Sequence, residues 1–99
     1  IAKLTAPHSG YYILEGRYKC RTSYHRSLYP KNYWKVNEKT VYEVSEVGQE
    51  CNSVLTNRIS NPFSIFLNKG DKVTFIATGW SHNVYGCARI FGSVFRFEE

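Results

Sequence analysis

The chain has 99 residues, 42% hydrophobic and 16% aromatic, and its 13 basic against 8 acidic side chains give a net charge of +5. That length supports one hydrophobic core, so residues 1–99 are read as a single domain. The composition is too apolar for a disordered segment, and no apolar run approaches the roughly 18 residues of a membrane span.

The charge is unevenly spread. Within the first 40 residues, Lys3, Arg17, Lys19, Arg21, Arg26, Lys31, Lys35 and Lys39 face only Glu15 and Glu38. Such a field favours nucleic acid, acidic proteins or anionic surfaces; the plainer reading is a soluble, mildly basic exterior. The sequence opens at Ile1 with no charged-then-apolar leader, which fits a secreted form after processing or simply a trimmed chain.

Residues 1–9 lack a clear period and read as a flexible arm. Residues 11–14 and 17–20 read as two strands folded about Glu15-Gly16, an N-terminal hairpin. Residues 22–36, broken by Pro30, read as irregular. Over residues 37–56 the period lengthens: Val41, Val44, Gly48, Cys51 and Leu55 share one helical face, with Asn37 as N-cap. Residues 40–44 alone also fit a strand. Residues 62–67 form a short apolar run, and 68–71 a turn. Val73, Phe75 and Ala77 alternate with Lys72, Thr74 and Thr78, apart from Ile76. Residues 79–83 read as a loop, residues 84–91 alternate again, and 94–97 close an antiparallel meander. The expected fold class is therefore α+β, one helix packed on an antiparallel sheet.

Three cysteines occur, Cys20, Cys51 and Cys87, without the spacing of a zinc site. The odd count allows one disulfide and one free thiol, or none. Of three pairings, Cys20–Cys87 is preferred because it ties the early chain to a late strand, worth about 4 kcal/mol in the chain-entropy picture. No metal or cofactor is expected.

Three histidines, His8, His25 and His82, are possible general bases. His82 lies beside Trp80 in the expected loop; a lone loop histidine is more often a solvated polar residue. Glu43, Glu46 and Glu50 would line the polar side of the helix. No nucleophile elbow, phosphate loop or zinc-protease motif is present. Tyr24, Tyr29, Tyr33 and Trp34 interleave with Arg21, Arg26, Lys31 and Lys35, a pattern suited to stacking on single-stranded RNA beside held phosphates; the alternative is core rings and solvated cations.

Several segments resemble known proteins. Gly70-Asp71-Lys72-Val73-Thr74-Phe75 is similar to the central strand of the small fungal guanyl-specific ribonucleases. Tyr85-Gly86-Cys87-Ala88-Arg89-Ile90 is similar to the strand that follows it. Tyr18-Lys19-Cys20 matches the Tyr-x-Cys signature of the ribonuclease-like effectors secreted by powdery mildew fungi. The resemblance implies a microbial ribonuclease-like fold over about residues 11–97, with the catalytic set lost. The family's histidine would fall at Ile90, its arginine at Lys72, and its glutamate near Ser64 or Ile65. Without an acid and a base no 2′-hydroxyl attack is supported, so the resemblance implies a pseudoenzyme. It further implies a secreted, monomeric virulence effector that enters the host cytoplasm. There it would bind a host protein or RNA, and a plant intracellular immune receptor could recognise it.

Three features depart from that pattern. Seventeen residues precede Tyr18, residues 94–99 hold no cysteine, and Tyr29-Pro30-Lys31 precedes the expected helix where the ribonucleases' Tyr-Pro-His strand follows it. The expected contact residues are Tyr29, Lys31, Tyr33, Lys72, Trp80 and His82. Two rival readings are an active small ribonuclease built around His82, and an all-β module that binds protein or carbohydrate through exposed aromatics.

Overall fold

The computed structural model describes residues 1–22, 31–45, 51–79 and 81–98. Its nine strands among these residues are β1 (Ala2–Thr5), β2 (Gly10–Cys20), β3 (Lys31–Val36), β4 (Lys39–Ser45), β5 (Thr56–Ile59), β6 (Phe63–Leu67), β7 (Lys72–Ala77), β8 (Ser81–Ile90) and β9 (Ser93–Glu98). They form two antiparallel sheets. The smaller runs β1-β7-β3-β4; the larger runs β5-β2-β8-β9, with β6 also paired to β2. The fold is all-β, and the expected α+β class is corrected.

The helix expected over 37–56 is replaced by β4 and β5 among its described residues. Its would-be N-cap, Asn37, instead forms a two-residue hairpin turn with Glu38, both at positive φ (50° and 69°). β-branched Thr40 and Val41 then enter a strand, where branching at Cβ is favoured. A few apolar residues at helical spacing could not outweigh these local preferences.

The N-terminal hairpin is also corrected. Residues 10–20 form one continuous strand whose alternate side chains, from Tyr12 to Cys20, are buried. Gly16 is not a turn. A Cβ there would collide with the ring of Phe75, which reaches across from the other sheet. Gly86, the direct cross-strand partner of Gly16, is likewise overlaid by Phe97. This glycine pair leaves a bare floor on the inner face of the larger sheet, and two rings lie on it. Trp34, fully buried, completes the layer, its ring centroid 4.7 Å from Phe75, 5.5 Å from Phe63 and 6.2 Å from Phe97.

The expected arm is β1, which pairs with β7 and buries Ala2. Part of the irregular stretch 22–36 is β3. The loop expected at 79–83 gives way to β8 from Ser81. The late strands are not one meander, since β7 lies in the smaller sheet while β6, β8 and β9 lie in the larger.

Cys20 is bonded to Cys51, and Cys87 is free, so the expected Cys20–Cys87 pairing is corrected. Strand parity is the reason. Cys20 faces the core at the end of β2, whereas Cys87 pairs with Glu15 on the opposite face of the same sheet. The bridge closes a 31-residue separation that encloses β3 and β4.

Candidate functional site

The sandwich presents two outer faces. On the larger sheet, cross-strand register sets the outward side chains in rows: Ser64, Ile13, Arg89 and Val94; then Glu15, Cys87 and Arg96; then Ile59, Arg17, Tyr85 and Glu98. The two ends of this face differ in character.

One end is apolar. Tyr11, Ile13, Phe66, Phe91 and Val94 are exposed; Phe91 is 87% and Tyr11 73% accessible. Tyr11 and Phe66 meet edge to face at 5.3 Å, and Tyr11, Ile13, Phe91 and Val94 line one shallow hollow with Arg89. Phe91 occupies the tip of the β8–β9 hairpin at φ 49°, followed by Gly92 at φ 78°. This two-residue turn favours Asn or Asp at its first position, and a bulky side chain there is strained. An aromatic ring presented to water from a strained backbone is unusual for a purely structural turn.

The other end is polar. β8 carries one extra residue opposite Tyr18, and Asn83 there adopts φ 51°. Beside this bulge Lys19, Asn83, Val84, Tyr85, Arg96 and Glu98 line an open hollow of about 460 Å³. Arg96 sits 4.2 Å from the Tyr85 ring centroid and pairs with Glu98 at 2.9 Å. Arg17 pairs with Glu15 at 2.7 Å. Its hydrogen bonds, to Glu15 first and then to Tyr85, raise its pKa above the ordinary arginine value.

The outer face of the smaller sheet is lysine-rich. Lys31, Tyr33 and Lys35 alternate outward on β3, and Lys72 lies on β7. Lys3 on β1 and Lys35 on β3 flank Thr74 on β7.

The residues expected from sequence therefore divide. Lys31, Tyr33 and Lys72 share the lysine face. His82 is exposed on the larger sheet, opposite Lys19. Tyr29 and Trp80 lie outside the described residues. The segment expected to stack on RNA is split as well, because Trp34 points into the core while Tyr33 points out. Sequence reading missed the Tyr11, Phe66, Phe91 and Val94 cluster. Tyr11 and Phe66 are cross-strand partners 55 positions apart, a neighbourhood that only sheet register reveals.

Searches against protein-family models and against curated proteins give no match to this chain. The Tyr-x-Cys tripeptide has a structural account of its own: Tyr18 is a core residue and Cys20 half of the disulfide.

Proposed function

We propose that this chain is a secreted, non-catalytic binding module that docks a partner protein through the outer face of its larger sheet. The observation that carries this reading is Phe91, held in a left-handed conformation and 87% exposed beside Tyr11, Phe66 and Val94. Clustered apolar side chains on a soluble surface mark interaction sites, and aromatics with arginines are the residues that dominate binding energy there. Arg89 at the edge of the cluster and Lys19 at the far end favour a partner whose apolar contact is bordered by carboxylates. The two acids that register places on this face among the described residues, Glu15 and Glu98, are held in ion pairs with neighbouring arginines. The disulfide suits an oxidising compartment. The ribonuclease-like reading required a helix-on-sheet fold, so it no longer supports the effector role.

A displayed peptide library panned on the immobilised chain tests the docking face. The expected ligands combine aromatic or aliphatic residues with Asp or Glu, and lose binding to Tyr11→Ser and Phe91→Ser while the fold is retained. Ligands indifferent to both substitutions would refute the assignment. Incubation with single-stranded RNA tests the other half: cleavage abolished by His82→Ala would establish an enzyme.

A further inference from the structure

The lysine face lies on the side of the sandwich away from the docking face and has no part in that reading. We propose that it is a binding surface for single-stranded nucleic acid. Three lysines from three strands converge on Thr74. Lys3 and Lys35 stand directly beside it on β1 and β3, and Lys72 precedes it by two positions on β7. Directly paired strands lie about 4.8 Å apart and i, i+2 neighbours about 6.7 Å, so three ammonium groups share a small patch. Along β3 the stripe continues through Tyr33 to Lys31. From Lys72 to Lys31 it extends roughly 20 Å, or about six residue steps of 3.3 Å.

Among the described residues, none of these four lysines forms an ion pair. The acid that register places on this face is Glu43, opposite Tyr33. Asp71, at the end of the stripe, is occupied by hydrogen bonds from Asn37 Nδ2 and the Asn68 backbone N–H. Like charges brought together on a sheet repel, and a ligand that neutralises them relieves that repulsion. Lysine presents a mobile point charge that suits a phosphate chain without fixed register. Tyr33 offers a ring between Lys31 and Lys35, the pairing of stacking platform and backbone cations that single strands use. A lipid surface fits less well, because Tyr33 and Ile76, paired across β3 and β7, are both only half exposed and supply no wedge to insert.

Fluorescence anisotropy on the full chain, with a labelled oligouridylate of about 12 nucleotides, tests this. Binding is expected to weaken steeply between about 50 and 200 mM salt, with a log–log slope near −3 for four contacts at about 0.7 each. The triple variant K3A/K35A/K72A should lower affinity by roughly tenfold or more and bring the slope near −0.7. Tyr33→Leu should cost roughly five- to 100-fold, with Tyr33→Phe restoring it. Near-ultraviolet circular dichroism checks that each variant is folded. Undetectable or salt-insensitive binding would overturn the proposal, as would binding unaffected by the triple variant. Binding indifferent to Tyr33→Leu and equally strong for heparin would identify a charged polymer and not a nucleic acid. Capture by phosphatidylserine vesicles without oligonucleotide binding would likewise overturn it.

Discussion

Phe91 holds its left-handed φ against a steric penalty of about 1–2 kcal/mol for a side chain with a Cβ. Its ring is almost wholly in water, so burial does not repay that cost within the isolated fold. Asn tolerates the same conformation and, before Gly92, makes the preferred sequence for this turn. Phe91→Asn is accordingly expected to stabilise the fold by about 1 kcal/mol, read as a higher urea midpoint at unchanged slope, while weakening whatever docks at Tyr11 and Val94. A lower midpoint would mean that the Phe91 ring contributes packing that its exposure does not show. At this scale the sequence is legible only in part. Tyr33 and Trp34 are adjacent rings among cations, and both looked available for stacking. Strand alternation sends one outward and the other to the centre of the core, and composition alone carries no such sign.

At the level of elements, the packing of the two sheets depends on Gly16 and Gly86. They are direct partners on β2 and β8, and Phe75 and Phe97 occupy the space above them. Trp34 backs both rings, so neither can withdraw without disturbing the layer. Gly86→Ala should therefore destabilise by about 1–3 kcal/mol, the usual cost of an extra methyl in a filled core. Chemical denaturation measures it, and Phe97→Leu should recover part of the loss in the double variant. A neutral Gly86→Ala would show that the ring does not rest on that position. This arrangement explains which elements could be read ahead of the structure. β6 is legible as a short apolar run, and β7, most of β8 and β9 by their alternation, broken only at Ile76, between turn residues. In β2, Glu15-Gly16 has the composition of a turn, but the glycine is instead a vacancy shaped for the Phe75 ring from another strand. In β4 the helical spacing of Val41, Val44, Gly48, Cys51 and Leu55 competes with β-branched residues that favour extended backbone, and the backbone preference wins.

For the whole molecule, the disulfide and the free thiol report on sheet register. Cys20 faces inward at the end of β2, and Cys87 faces outward in the middle of β8 between Glu15 and Arg96. Reasoning from loop length favoured Cys20–Cys87, because longer loops lose more entropy when closed, but loop length says nothing about the face a side chain occupies. To bring Cys87 from its place opposite Glu15 to Cys20, β8 would have to slip by five residues, an odd number, against β2. Such a slip exchanges every inward and outward side chain and would expel Val84, Ala88 and Ile90 from the core. The Cys20–Cys51 bridge keeps the register and closes the loop around β3 and β4, contributing roughly 3–4 kcal/mol by chain entropy. Alkylation of the native, unreduced protein should accordingly modify Cys87 alone, with Cys20 and Cys51 recovered in one disulfide-linked peptide by mass spectrometry. Because the thiol lies at the centre of the proposed docking face, a bound partner should slow its alkylation, whereas an oligonucleotide on the lysine face should leave the rate unchanged. Modification of Cys51 in the native protein would overturn both the pairing and the register, and with them the separation of the molecule into two independent faces.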